Sequence, residues 1–393
     1  MDLLDNPVRR YAWGSDRDIP EFLGVPSDGG PQAELWMGAH PGDSSRITRG
    51  GTPRTLEQVI AVSPDTELGP AVARAYGGRL PFLFKVLGAA RPLSLQVHPD
   101  KARAQAAYAA QVQSGATERD YSDDNHKPEL LCALRSGFEV LSGFRPVAET
   151  VALLAELAVP ELAAYPALLA GQPPQEALRK LVTAILTGLD DHTASIAALA
   201  SAGRRVAAAG GPWAAAGAAY AMVAQAYPGD PGVLVALLLN HAVLAEGEAL
   251  FVGAGVPHAY LHGFGAELMA SSDNVLRAGL TSKRVNVPEL LEVLDFRPAP
   301  LRVLRPVPDG AEQVYPVPVP DFRLSRLRLS ADGFALPESG PQILLCICGE
   351  AVLRDAGGTE LTLRRGQSAY LPAGSARVTA AGQGTVLRAT VGS

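Results

Sequence analysis

Gly247-Glu-Ala-Leu-Phe-Val-Gly-Ala-Gly-Val-Pro-His258 can be laid without gaps over Gly366-Gln-Ser-Ala-Tyr-Leu-Pro-Ala-Gly-Ser-Ala-Arg377. Gly247 and Gly255 coincide with Gly366 and Gly374, and the apolar pattern between them is shared. A glycine, a short strand, a tight glycine turn and a return strand are what a jelly-roll hairpin requires. Two copies imply two jelly rolls. The copies differ at their last position, where His258 is replaced by Arg377, so only the first is expected to carry a metal.

The first copy gains its chemistry from Arg91-Pro-Leu-Ser-Leu-Gln-Val-His-Pro-Asp-Lys101, which reads as a short strand with a proline near each end. Alternate side chains of a strand point to opposite faces, so Leu93, Leu95 and Val97 enter a core while Ser94, Gln96 and His98 line the other surface. An imidazole and an amide oxygen two residues apart on one strand can bind the same metal ion. Alone, such a face is ordinary for an amphipathic edge strand; its neighbours in the sequence give it weight.

Residues 1–60 are rich in Gly, Pro and aromatic residues and read as short strands and loops, with a helix at 55–61 capped by Thr55. Leu80-Pro-Phe-Leu-Phe-Lys-Val-Leu-Gly88 reads as a buried strand, and 100–114 as a helix with Asp100 as cap and Gly115 as stop. Tyr121-Ser-Asp-Asp-Asn-His-Lys-Pro-Glu-Leu-Leu-Cys-Ala-Leu134 is a polar loop running into an apolar strand. Glu129 sits at the junction, where a carboxylate is either exposed at the strand end or bound to a cation. From 148 to 239 the texture changes to Ala/Leu blocks broken at Pro160, Gly171, Gly188, Gly210 and Pro228. Leu153, Leu154 and Leu157, then Leu181, Ile185, Leu186 and Leu189, form helical packing stripes; His192 belongs on the surface or beside a cap. Strand texture returns after Asn240. The expected fold is mainly β, with two jelly-roll β domains and an inserted α-helical domain. Residues 1–147 and 240–299 form a discontinuous first jelly roll, 148–239 the helical insertion, and 300–393 a second jelly roll without a metal site.

With 393 residues and 47% hydrophobic content the chain can bury more than one core. A net charge of -6 argues against a nucleic-acid or anionic-membrane surface as partner. Apolar runs such as 233–239 are too short to span a bilayer. The cysteines Cys132, Cys346 and Cys348 cannot make a disulfide framework, and Met-Asp-Leu-Leu-Asp-Asn-Pro lacks a leader pattern, so a cytoplasmic address is expected. Cys346 and Cys348, at alternate positions, are expected to share one strand face and serve packing. Arginine outnumbers lysine heavily, the lysines being Lys85, Lys101, Lys127, Lys180 and Lys283. Three of them, Lys101, Lys127 and Lys283, lie in polar segments where a compact ammonium is useful.

Gln96, His98, Glu129 and His258 together offer two nitrogens, a carboxylate and an amide oxygen, a set that suits one divalent ion such as Zn²⁺ and leaves room for water or substrate. By alternation Tyr260 and His262 share the face of His258, beside the metal or facing substrate, or His262 lies in a solvated loop.

The spacing of the repeated hairpin resembles the second conserved motif of cupins. Over nearly its full length the chain resembles the type I mannose-6-phosphate isomerases. The resemblance is carried by Tyr11-Ala-Trp-Gly-Ser15, Glu34-Leu-Trp-Met-Gly-Ala-His-Pro41, Leu93-Ser-Leu-Gln-Val-His-Pro-Asp-Lys101, Asp124-Asn-His-Lys-Pro-Glu129, Pro257-His-Ala-Tyr-Leu261 and Ser272-Asp-Asn-Val-Leu-Arg-Ala-Gly-Leu-Thr281. It implies one zinc per chain on Gln96, His98, Glu129 and His258. It further implies an active-site arginine at Arg277, with Ser94, Lys127, Glu267 and Lys283 around a sugar phosphate; Tyr260, placed by alternation, is counted with the substrate-facing residues. One departure is Ser282, where the family usually has proline before the lysine. The implied reaction interconverts mannose 6-phosphate and fructose 6-phosphate through a cis-enediol, with Glu267, Lys127 and a metal-held water as candidates for the C2 proton. The implied partner is a small-molecule sugar phosphate, without nucleic acid or membrane, and a monomer is expected.

Three rivals remain at this stage. A non-catalytic metal cupin that binds a sugar phosphate would not need Arg277, Lys127 and Lys283 together. An Fe(II) oxygenase would favour two histidines and one carboxylate, which the fourth ligand Gln96 opposes. A sugar-nucleotide transferase would need a glycine-rich nucleotide loop, which the sequence lacks.

Overall fold

The strand-forming segments assemble into two large antiparallel sheets; the computed structural model describes residues 1–115, 117–188, 191–337, 340–375 and 377–392. Along its main path the first sheet runs Val303–Leu304, Ala249–Val252, Glu129–Ala133, His258–Ala270, Phe82–Ala89, Glu34–Met37 and Val8–Arg9. Leu95–Val97, Phe138–Phe144, Leu239–Leu244 and Leu276–Gly279 join it through further pairings. The second sheet runs Asp2–Leu3, Ser368–Leu371, Gln342–Asp355, Val378–Thr390, Arg323–Arg328, Glu312–Val314 and Val307–Asp309. The fold is mainly β. The repeated sequence motif appears in each sheet as a short strand followed by a long one, Ala249–Val252 then His258–Ala270, and Ser368–Leu371 then Val378–Thr390. Ala376 of the second copy lies outside the described residues.

Alternation along the strands decides how the sheets meet. Phe84, Val86, Leu130, Cys132, Ala266 and Leu268 of the first sheet share one buried cluster with Tyr315, Phe322, Leu324, Ile343, Leu345 and Leu387 around the second. The sheets therefore pack back to back. Lys85, Glu129 and Glu267, at the intervening positions, fall on the opposite face of the first sheet. The N-terminal residues Asp2 and Leu3 pair with Tyr370 and Ala369, so the chain starts in the second sheet.

Helices Val147–Leu157, Tyr165–Leu169, Pro174–Thr187, Thr193–Ala209, Ala214–Ala226 and Gly232–Ala236 lie between the strands Phe138–Phe144 and Leu239–Leu244. Those two strands pair with each other, so the helices form a long excursion from one hairpin. Leu153, Leu157, Leu181 and Ile185 join a core with Leu95, Val97, Leu141 and Leu276 of the sheet, and Leu186 packs against it; Leu189 is outside the described residues. Thr193–Ala209 and Ala214–Ala226 approach closely at Gly203 and Gly217. A Cβ on Gly203 would sit 2.5 Å from the Gly217 carbonyl oxygen, which only the absence of a side chain permits. His192 precedes the first of these helices, its ring nitrogen 3.3 Å from the Ile185 carbonyl, as a cap neighbour should.

Arg145 fastens the excursion to the sheet. Its buried guanidinium donates to the carbonyls of Leu237 (3.1 Å) and Leu239 and to the Tyr220 hydroxyl. Arg145→Leu strands those acceptors away from water and is expected to cost about 2–4 kcal/mol, read as a lower urea midpoint at unchanged slope.

Shorter elements follow their local signals. Leu56–Val62 starts with a capping box between Thr55 and Gln58, and Lys101–Ser114 is capped by Asp100 and stopped by a left-handed Gly115. The strand expected from Leu93 is shorter, Leu95–Val97. The shared face expected for Cys346 and Cys348 is corrected: a register shift between them turns Cys348 outward while Cys346 stays buried. Among the described residues no helix is long and apolar enough to cross a membrane.

Candidate active site

Three strands bring the metal-ligand candidates together on the face of the first sheet turned away from the second sheet. His98 follows Leu95–Val97, Glu129 opens Glu129–Ala133, and His258 opens His258–Ala270. Their ligand atoms all lie within 4.8 Å of one another, and all three residues are buried. Glu129 is the hub, with Oε1 3.2 Å from His98 Nε2 and Oε2 3.3 Å from His258 Nε2.

Both imidazoles are aimed by backbone carbonyls. His98 Nδ1 lies 2.7 Å from the Asn274 carbonyl and His258 Nδ1 3.1 Å from that of Val256. A proton on each Nδ1 leaves each Nε2 lone pair for a metal, the arrangement that orients histidine ligands in metal sites. His98 Nε2 is fully shielded and makes no hydrogen bond, despite its short distance to Glu129. A buried nitrogen without a partner is costly, and a metal ion would satisfy it. The donor set therefore fits a divalent cation.

The fourth candidate, Gln96, stands directly across the ladder from both His258 and Arg277. Its amide nitrogen donates to Ser94 Oγ at 3.1 Å. Lys127, expected near substrate, is buried and holds Glu129 Oε1 at 3.0 Å. The Tyr260 hydroxyl donates to Glu129 Oε2 at 3.3 Å. Arg277 is half-buried and makes no ion pair among the described residues; burial lowers its pKa from the ordinary value. Lys283 is exposed on a turn where its backbone N–H donates to Thr281 Oγ1, so it stands outside the buried cluster.

One feature decides the placement of two residues. Glu267, which its position nine residues past His258 suggests lies on a neighbouring strand, is on the same strand. A register shift between Tyr260 and His262 inserts one residue, which reverses the alternation beyond it. His262 is thereby exposed, and Glu267, an odd number of residues from His258, comes round to face the site.

Glu267 discloses residues that sequence reasoning missed. Its Oε2 accepts from Lys85 Nζ at 3.2 Å, and Lys85 lies 3.9 Å from Glu34 Oε1 and 5.4 Å from the centroid of the Trp36 ring. Trp36 Nε1 donates to Glu34 Oε2 at 2.6 Å. Burial opposes the charge on Lys85, but Glu34, Glu267 and Glu129 outweigh it and raise its pKa. Glu267 is raised by burial and by Glu129 against the pull of Lys85 and Lys127. The signal was a lysine inside the apolar run Leu80–Gly88.

Electrostatics also keep His98 ready for a metal. Burial, reinforced by Lys127 and His258, lowers its pKa from 6.5 to about 4 although Glu129 opposes the shift. The unfolded chain then binds more protons than the native one between about pH 6.5 and 4, so this group makes native stability fall as pH falls through that window. For protein stripped of metal, the expected result is a melting temperature that drops from pH 7 to 4.5, with a shallower drop in His98→Gln. Equal slopes would contradict the assignment.

Comparison with known proteins agrees with this geometry. Residues 1–147 match the family model for the phosphomannose isomerase type I catalytic domain, and 311–391 that for the mannose-6-phosphate isomerase cupin domain. The chain is 41% identical to mannose-6-phosphate isomerase of Escherichia coli K12, covering 99% of each, and 33% identical to that of Homo sapiens, covering 94% and 93%. A mutant of phosphomannose isomerase from Salmonella typhimurium superposes with a TM-score of 0.91 at 39% identity over 100% of both chains. A mannose 6-phosphate isomerase bound with zinc and yttrium superposes with a TM-score of 0.89, again at 39% identity and full coverage. A buried His98-Glu129-His258 cluster on a fold shared end to end with these proteins places the chain in the type I phosphomannose isomerase family.

Proposed function

We propose that the protein is a mannose-6-phosphate isomerase, interconverting mannose 6-phosphate and fructose 6-phosphate with one zinc ion held by Gln96, His98, Glu129 and His258. The observation that carries this reading is the unpartnered, fully buried Nε2 of His98 facing Glu129 and His258. When bound, zinc would polarise the substrate oxygens and stabilise charge developing on them.

The remaining chemistry belongs to the chain's own groups. Glu267, with its raised carboxylate pKa and Lys85 at 3.2 Å, is suited to take the proton from C2 and return it at C1. In the forward direction the C1 oxygen gains a proton and the C2 hydroxyl loses one, so the cis-enediol collapses to the ketose. Lys85 stabilises Glu267 as the anion before it acts. Arg277, unpaired with any carboxylate among the described residues, is the cation for the phosphate or for the enediolate oxygen. Ser94 and Tyr260 border the same ligands, whereas exposed Lys283 would meet only the outer end of the substrate.

The same proposal divides the chain into a catalytic jelly roll (1–147 and 240–299), an inserted helical domain (148–239) and a second jelly roll without a metal site (300–393). The like order of seven strands in the two sheets supports it, with an exchange at the edges: Asp2–Leu3 pairs in the second sheet and Val303–Leu304 in the first. The test is a coupled assay of mannose 6-phosphate turnover beside glucose 6-phosphate. Turnover of the first is expected; a folded, zinc-replete protein inert toward it contradicts the proposal. The reading gives the protein a sugar phosphate as partner, a monomeric state and a cytoplasmic setting.

A further inference from the structure

The second sheet repeats the layout of the catalytic cluster with different side chains. In the first sheet Glu267 and Trp36 stand opposite Lys85, and Met269 opposite Glu129. In the second, Arg388 and Val314 stand opposite Ser325, and Thr390 opposite Gln342. Glu312 precedes Val314 by two residues, as Glu34 precedes Trp36. By register, then, Glu34, Lys85, Glu129 and Glu267 correspond to Glu312, Ser325, Gln342 and Arg388.

The correspondence preserves a buried acid-cation pair and moves its cation from the Lys85 position to the Glu267 position. Arg388 replaces an acid and binds both carboxylate oxygens of Glu312, at 2.7 Å each, and Gln342 Oε1 at 3.2 Å. The metal set has gone, because Gln342 stands for Glu129 and Arg377 for His258. A cavity of about 470 Å³ remains over this pair, within the range of small-molecule pockets. Arg323, Asp309 and Phe334 complete the part of its wall that matters for recognition.

The chemistry of that wall selects a class of ligand. Arg323 pairs with Asp309 at 2.6 Å and lies 3.7 Å from Glu312, so among the described residues each guanidinium of the wall has a carboxylate beside it. An anion would find no net attraction there. Guanidinium donors alternating with carboxylate acceptors suit adjacent hydroxyl groups, and the Phe334 ring offers an apolar surface to the C–H face of a sugar. Arg323, a lining residue, has its Nε shielded from solvent without a hydrogen-bond partner. An unpaired buried polar atom of this kind calls for a ligand or ordered water.

We propose that this cavity is a second, metal-independent binding site for a neutral polyhydroxylated ligand of the aldohexose class. The proposal does not rest on the isomerase reading, and its failure would leave that reading untouched.

The experiment is calorimetric titration of the zinc-loaded protein with D-mannose, D-glucose and inorganic phosphate, repeated on Arg323→Ala and Phe334→Ala. Both side chains are partly exposed, so both variants should fold, which the circular dichroism spectrum checks. At least one hexose is expected to bind with a Kd of about 1 mM, as ligand efficiency allows for a molecule this small. Each variant should weaken that binding at least tenfold while isomerase turnover stays at the wild-type level. The proposal is overturned if neither hexose binds at about 50 mM, if the variants bind as wild type does, or if phosphate binds as tightly as the hexoses.

Discussion

Glu129→Gln is expected to lower mannose 6-phosphate turnover about a thousandfold or more, the scale set by several kcal/mol of lost charge stabilisation, and to release the zinc. Glu129 is the one carboxylate in the cluster, lying 3.2 and 3.3 Å from the two imidazole nitrogens. The amide is nearly isosteric but carries no charge to balance a divalent ion. It also leaves Lys127, 3.0 Å away and buried, without its counter-charge. Burial favours the neutral acid at this site, yet Lys127, His98 and His258 outweigh it and hold the Glu129 pKa well below the ordinary value, so the native protein carries the anion throughout the neutral range. Zinc content by atomic spectroscopy and turnover should fall together. A variant that keeps full zinc and full activity would remove Glu129 from the site.

Lys85→Met carries the other large effect, on stability as well as on turnover. It leaves Glu34 and Glu267 buried around an uncharged side chain, and breaking a buried pair this way costs about 3–5 kcal/mol. Glu267, already raised by burial and by Glu129, would be raised further without Lys85 and tend to stay protonated in the native state. Native protein would bind more protons than unfolded chain near neutrality, so the variant should gain stability as pH falls from 7 toward 5. Urea denaturation across that range measures it. Lys85→Met with Glu267→Gln should recover part of the loss, because the second change removes one of the stranded charges. A single variant as stable as wild type at pH 7 would show that Lys85 does not neutralise this pair.

The buried group of His98, Glu129 and His258 was legible in the sequence because its residues sit on local features that can be read one at a time. His258 follows a glycine turn, His98 ends a strand between prolines, and Glu129 stands where a polar loop becomes apolar. The insertion of helices between strands was equally open, since its Ala/Leu blocks and glycine breaks are local signals. What stayed hidden depends on distant pairing. The extra residue between Tyr260 and His262 exists only relative to its partner strand, yet it decides that His262 meets solvent and that Glu267 meets the site. The register shift between Cys346 and Cys348 acts in the same way. Lys85 looked like an interruption of an apolar strand because Glu34 and Glu267, which justify its burial, are far away in the sequence. The equivalence of Glu312 and Arg388 with Glu34 and Glu267 likewise emerges only from the two sheet registers.

The most direct measurement compares mannose 6-phosphate turnover by zinc-loaded protein, the same protein after chelation, and His258→Ala. His258 is buried, with its Nδ1 near the Val256 carbonyl and its Nε2 toward Glu129, so alanine removes one nitrogen ligand while the strand pairing with Gln96 and Ser142 stays available. The account predicts activity in the first sample, its loss on chelation with recovery when zinc is restored, and near-absence in the variant. Undiminished turnover in the chelated protein and in His258→Ala would contradict it, because the buried cluster would then have no part in the reaction.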